Sequence, residues 1–409
     1  MKPRRIDRKS RNIRITKNFY RSIAIPIRIS QISGCGPFLF SVNGIRKSIL
    51  CYIVFVVQLC LYMSVLTILH FNPEPMPELS LGTHTKIINQ ISIVSILAVW
   101  IIGVFRVGTW SNFLKDLVAI DHGLANFDIS VDYRKYVRKN YWMLAALAIQ
   151  CLLYFYYMVY HRHLVLSVIA YTFIPSWIII TLSHCVSAMA CLVYERFQLL
   201  NCLLQKLVDR DLHVISLLES EKQKNPLKML CYVCSWHHNI IKTMTLANET
   251  FGLKMVVVFG YAFMIIVMQV FSICHLFKKD IQWDYFIQHI FSVTSYSFTV
   301  YKICNICEYT VREAKKSGLL IHQIESDDFD IRDEIEMFSL QISNETIEFT
   351  AAGFFPIDYS LLFSIIGGVT TYIIILIQLD TDQQDSGGNS TDYSSISSFL
   401  TTPYSKTIY

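Results

Sequence analysis

Seven apolar blocks punctuate this chain, each close to the roughly 20 residues an α-helix needs to cross a bilayer core of about 30 Å. They fall at 49–71, 87–105, 141–160, 164–193, 251–275, 285–306 and 357–379. In lipid every backbone N–H and C=O must be paired internally, so runs of this length fold as helices. Composition agrees. Of 409 residues 53% are hydrophobic and 16% charged, where a soluble domain carries about 25% charge. The expected fold is an all-α membrane protein with seven transmembrane helices. The first block is too long and begins too late for the apolar core of a cleavable signal peptide, so it reads as a helix that stays in the membrane.

Lysine and arginine set the orientation, because they collect on the cytoplasmic side. Of the 36, 31 lie in 1–47, 106–140, 194–250 and 302–353 or at Lys254. The alternate segments hold only Lys86, Arg162, Lys278, Lys279 and Lys406. The N-terminus is therefore expected inside and the C-terminus outside. A conventional G-protein-coupled receptor has the opposite sidedness, and this bias disfavours it at every loop.

The organisation expected is a basic cytoplasmic arm (1–48), six helices (49–306), a cytoplasmic loop and anchor helix (307–356), a seventh helix (357–379) and an extracellular disordered tail (380–409) rich in Ser, Thr, Asp and Gly. His161, Arg162 and His163 alone separate the third and fourth blocks, and Pro175 is expected to kink the fourth. The sequon at Asn389 falls on the outer tail and can take an oligosaccharide; those at Asn248 and Asn344 fall inside and should stay bare. The basic arm reads as an orientation signal in contact with anionic lipid, and no nucleic acid is expected on it.

The seventh block carries one narrow stripe of small and polar residues. At about 100° per residue, Ser364, Gly367, Thr371, Ile374 or Ile375, and Gln378 align. Such a stripe serves close helix packing or borders a water path, and Gln378 near the outer end needs partners for its amide. Thr371-Tyr372, five apolar residues and Gln378 resemble the signature of the last helix in insect gustatory receptors. The resemblance extends to Glu336–Gln341, to Phe349–Asp358 and to Tyr194-Glu195-Arg196-Phe197 followed by Leu200-Asn201. It is strong over about the last 75 residues and weak elsewhere.

The resemblance implies that the last helices of four subunits surround a cation pore, in a homotetramer or a heterotetramer with related receptors. It puts Thr371, Tyr372, Ile375, Gln378 and Leu379 on that pore and its gate. Leu379 stands where the family usually has Phe; an apolar ring can still gate by dewetting. Sugar-sensing members carry Glu after the Thr-Tyr pair, whereas here Ile373 follows, so a bitter or other plant-derived tastant is expected over a sugar. The resemblance further implies a tastant pocket among the first six helices, where this chain offers Tyr154, Tyr157, Trp177, Gln269, Gln288 and His289. Aromatic walls with few polar groups suit a small amphipathic molecule, although Tyr and Trp also gather at membrane interfaces without one. The setting it implies is the plasma membrane of gustatory sensory neurons.

Other signals point nowhere new. Cys231-x-x-Cys234 and Cys304-x-x-Cys307 have zinc-like spacing, but they lie about 70 residues apart on helical segments, without the short knuckle turns of structural zinc sites. They read as free thiols. The acidic run from Asp327 to Glu336 reads as a solvated helix face. No phosphate loop, His-Glu-x-x-His or nucleophile elbow occurs, so an enzyme, a cofactor and a bound metal are not expected. A metabotropic receptor and a secondary transporter remain the rival classes; no internal repeat supports the transporter.

Overall fold

The computed structural model describes residues 17–36, 38–41, 44–71, 82–125, 129, 131–160, 169–209, 226–278 and 283–378. The turn at His161–His163, the tail from Leu379 onward and the Asn389 sequon lie outside these residues.

The described chain is all-helical apart from one hairpin. Helix α1 (Lys17–Ile32) leads into strands β1 (Phe38–Ser41) and β2 (Gly44–Lys47), followed by α2 (Ile49–Phe71), α3 (Gly82–Phe105), α4 (Val107–Ala125) and α5 (Tyr133–Tyr160). A π-helical turn, Ile169–Phe173, opens α6 (Ile174–Asp209). Then come α7 (Pro226–Lys278), α8 (Trp283–Ile321), α9 (Phe329–Asn344) and the last helix, α10 (Tyr359–Gln378).

Every apolar block falls on a helix, but the helices outrun the blocks. At 1.5 Å per residue the 53 residues of α7 extend about 80 Å, far more than a bilayer needs. Helix α8 likewise continues to Ile321, into the segment expected to begin a loop. Among the described residues five helical stretches are long and apolar enough to cross a membrane: Ile49–Phe71, Lys86–Phe105, Ile169–Asp209, Leu227–Phe277 and Tyr359–Gln378. The third and sixth blocks fall on α5 and α8, which are outside that class. The first is rich in Tyr and Trp, and the second carries Gln288, His289, Ser292 and Ser295.

Pro175 is the second residue of α6 and follows the π turn directly; lacking an N–H, it cannot bond back to that turn, and the change of winding falls at this point.

The chain folds into two units: Met1–Ala262 with Phe298–Leu362, and Phe263–Ser297 with Phe363–Tyr409. In the first, the end of α1 is the meeting point. A helix leaves its last carbonyls without intrahelical partners, and here side chains from four other helices take up the strand of backbone beyond it. Gln58 donates to the Ile32 carbonyl (2.8 Å), Trp100 Nε1 to that of Ser33 (2.9 Å) and Lys254 Nζ to that of Cys35 (2.8 Å), while the hydroxyls of Ser33 and Thr181 meet at 3.0 Å. Gly34 makes the turn possible with φ +73°, the left-handed conformation that favours glycine at a helix C-terminus. Lys254, counted with the cytoplasmic charges on sequence, is fully buried by this arrangement. The hairpin beyond packs Phe38 and Phe40 inward and Leu39 outward, the alternation of a half-buried strand.

Beside Gly252, two residues before Lys254 on α7, the segment from Phe349 to Asp358 folds into a compact loop. Ile357 N–H donates to the Phe349 carbonyl (2.8 Å) and Ala351 N–H to that of Phe355 (3.0 Å), with Ala352 (φ 55°) and Gly353 (φ 79°) at the tip. Asn248 on α7 holds the loop from the side, donating to the Glu348 carbonyl (2.9 Å) and accepting from Thr350 N–H (3.2 Å). The acidic run before it caps α9: the Asp328 side chain accepts from Asp330 N–H, and Asp327, Asp330, Asp333 and Glu336 are exposed while Glu334 is half-buried.

In the second unit, Phe263 on α7 meets Tyr372 of α10 edge-on at 5.8 Å, and a side chain at Gly368 would stand 3.0 Å from the same ring. Phe286 lies between Phe277 and Trp283 at 5.7 and 5.9 Å.

Candidate pore helix and ligand pocket

Helix α10 begins with a firm N-terminus. The Asp358 carboxylate accepts from Ser360 N–H (2.8 Å), Leu361 N–H (3.1 Å) and the Ser360 hydroxyl (2.6 Å), which satisfies donors that the first turn leaves open. Tyr359 donates its hydroxyl to Asn305 on α8 at 2.7 Å.

The aligned stripe is open along its whole length. Ser364, Gly367, Thr371, Ile374, Ile375 and Gln378 are all exposed, while Ile365 is buried and Gly368, Val369, Ile373, Leu376 and Ile377 are half-buried. Tyr372 is half exposed beside Phe263. The Thr371 hydroxyl donates to the Gly367 carbonyl (3.0 Å), so its hydrogen is used within the helix and its oxygen faces outward as an acceptor. Leu379 lies one residue beyond the described helix.

Of the residues expected in a tastant pocket, Gln269 and His289 are brought together: with its hydrogen on Nδ1, His289 donates to the Gln269 amide oxygen. Both are half-buried, as is Gln288 on the preceding residue of α8. Trp177 stacks on Phe173 and packs against a cluster of Met143, Leu147 and Ile180, which Ile25 and Ile29 of α1 also cover. The side chains of Tyr154 and Tyr157 lie outside the described residues. A cavity lies elsewhere, under the Phe349–Asp358 loop among Met189, Asn248, Phe251 and Cys307; at about 20 Å3 it has room for one water and for no tastant.

The stretch Tyr194–Asn201 proves to be a buried polar core of the first unit. Arg196 is fully buried and grips Asp121 with two bonds, Nε to Oδ1 at 3.0 Å and Nη2 to Oδ2 at 2.7 Å. Its remaining donors reach the Tyr136 hydroxyl (3.2 Å) and the Leu192 carbonyl (2.9 Å), and Tyr133 donates to Asp121 (2.7 Å). A buried charge persists only when paired and bonded in this way. Burial, opposed by the adjacent Arg196, pushes the Tyr136 hydroxyl well above its ordinary range, so it stays neutral. Asn201 donates to Glu313 and accepts from the Ser317 hydroxyl, tying α6 to α8. His237 lies between Phe197 and Phe338, bringing α9 into the same core. The sequence marks Arg196 and Asn201 as parts of a motif but not their partners, Asp121 and Glu313, which lie 75 and 112 residues away.

A model of the family described as 7tm chemosensory receptor matches residues 27–383. The chain belongs to the 7tm chemosensory receptor family. It is similar to two Drosophila melanogaster proteins: gustatory receptor for bitter taste 66a, 28% identical over 42% of this chain and 34% of that protein, and gustatory receptor 68a, 34% identical over 21% and 22%. Two further gustatory relatives from the same organism are spanned over 37% and 53% of their length. In fold this chemosensory receptor is similar to the insect olfactory receptor OR5 of Machilis hrabei in complex with eugenol, with a TM-score of 0.59, 14% identity, and coverage of 88% of this chain and 97% of that one. Family and apolar helices together make it a multi-pass membrane protein.

Proposed function

We propose that this receptor is a tastant-gated, non-selective cation channel, with α10 lining a pore shared by four copies or by copies of related subunits. The observation that carries this reading is the open stripe of α10. A helix this apolar belongs in the membrane, yet its own chain buries almost none of it. Gln378 and the Thr371 oxygen are costly against lipid, so their natural cover is water, with other copies of the same helix around it. The charge bias supports seven crossings with the N-terminus inside, which would bring Gln378 and Leu379 to the outer mouth. The family and the bitter-taste relative support a tastant as ligand; Ile373 after Thr371-Tyr372 disfavours a sugar. The Gln269–His289 pair, with Gln288, offers such a molecule polar contacts, and Tyr154, Tyr157 and Trp177 are proposed as its aromatic walls. Opening requires the tastant to bind the open state more tightly than the closed one. The setting proposed is the plasma membrane of a gustatory neuron.

The test is whole-cell current in a non-neuronal cell expressing this chain, challenged with plant bitter compounds and with sugars while G-protein signalling is blocked. A fast cation current whose conductance changes in Gln378→Ala is expected. A response abolished by the G-protein block would overturn the channel reading.

A further inference from the structure

Three basic side chains from three helices meet in the inner half of the first unit without an acid among them. Lys302 of α8 donates to His184 Nδ1 of α6. Lys139 of α5 lies with its Nζ 3.1 Å from the Cys191 sulfur, also on α6. Lys302 also lies within electrostatic reach of Lys139 and of Cys191. Among the described residues neither has a carboxylate at ion-pair distance, and Glu195, four residues past Cys191, is taken by Lys135 at 3.8 Å. Lys302 is half-buried and Lys139 exposed, so the pair is reachable from outside the protein.

The surface beside the pair is apolar and long. On α5, Trp142, Ala146, Ile149 and Leu153 follow Lys139 along one helical stripe, and all are exposed. On α8, Phe298 lies one turn from Lys302 and is exposed as well. Two lysines without a carboxylate partner at the foot of an exposed apolar stripe match one kind of molecule: a phosphate with acyl chains attached. Lysines at the membrane boundary attract anionic lipid by roughly 1 kcal/mol each, or about fivefold.

We propose that Lys139 and Lys302 hold the phosphate of an anionic phospholipid of the inner leaflet, its chains lying along the Trp142–Leu153 stripe of α5. The leaflet rests on the orientation proposed above; the binding does not depend on channel activity. Because each lysine also touches α6, a phosphate held by both links α5, α6 and α8.

The test uses the full chain purified in detergent, with lipid retention read by native mass spectrometry and thermal unfolding read alongside. Dioleoylphosphatidylglycerol is expected to be retained and to raise the midpoint, and dioleoylphosphatidylcholine to do neither. In K139Q/K302Q retention should fall about twenty-five-fold, at roughly fivefold per lysine, and K139R/K302R should restore it. Should the double glutamine variant fail to fold, K139Q alone, at an exposed site, is expected to lose about fivefold. Equal retention of both lipids, or unchanged retention in the glutamine variants, overturns the proposal. So does stabilisation by inorganic phosphate alone that depends on the same lysines, because the site would then serve a soluble anion.

Discussion

Arg196 shows how much one buried charge can organise. Each of its donors that the core reaches ends on a named acceptor, and Asp121, its charge partner, is itself nine-tenths covered. Removing one member of such a pair leaves the other buried and uncompensated, which costs about 3–5 kcal/mol. Asp121→Ala should therefore lower the thermal midpoint of the purified protein and sharply reduce its surface level, even though Asp121 belongs to neither the proposed pore nor the proposed pocket. Tyr136→Phe removes one hydrogen bond to the charged guanidinium and should cost less, about 1.5–3 kcal/mol. A midpoint that moves equally in both variants would show that the ion pair contributes no more than that single hydrogen bond. The motif Tyr194–Asn201 was visible in the sequence, but its meaning was not. Asp121, Glu313 and Ser317 come from elements that nothing in the local spacing connects, and a count of charges carries no sign that Lys254 is buried against the backbone beyond α1.

Helices were the most legible elements, because lipid leaves a long apolar run no other fold. Their ends were less so. Hydropathy stops where the membrane does, whereas α6, α7 and α8 continue as helices packed on each other through polar contacts such as Asn201–Glu313. The hairpin β1–β2 escaped notice for the opposite reason: four-residue strands carry too little alternation to read. The loop Phe349–Asp358 was noticed as a resemblance, and the structure supplies its mechanics. A Cβ at Gly252 would stand 2.6 Å from the Ala352 nitrogen and 3.3 Å from the Thr350 oxygen. These are backbone atoms and cannot swing away. Gly252→Val should cost at least the roughly 1–3 kcal/mol typical of overpacking, seen as a lower unfolding midpoint, with Gly260→Ala, where a side chain meets nothing within 4 Å, as the silent control.

For the whole molecule, orientation and assembly are the claims to test. An epitope placed after Tyr409 should be labelled on intact cells, and one before Met1 only after permeabilisation; the reverse pattern would restore a metabotropic receptor as the better reading. Single cysteines at Thr371 and Ile375 should cross-link between copies up to a four-chain species, while Ile366→Cys, exposed but on another face, should not. Surface protein that never cross-links at the stripe would remove α10 from a shared axis. At this scale the sequence carried the class of molecule and an expected sidedness, since both rest on bulk properties of apolar runs and charge. It could not carry the pairing of Gln269 with His289, which depends on how two long helices are rotated against each other.

Gly252 and Gly103 have a consequence for descent as well as for stability. A side chain at Gly103 would come as close to the Cys35 carbonyl (2.6 Å) as one at Gly252 would to the loop. At both places main chain touches main chain, and no compensating change elsewhere can make room for a larger residue. Side chains around the proposed pocket are free to drift as ligands change. The two glycines are not. Among receptors too diverged to align with ease, these points of bare backbone should persist as landmarks by which one gene copy can be laid over another.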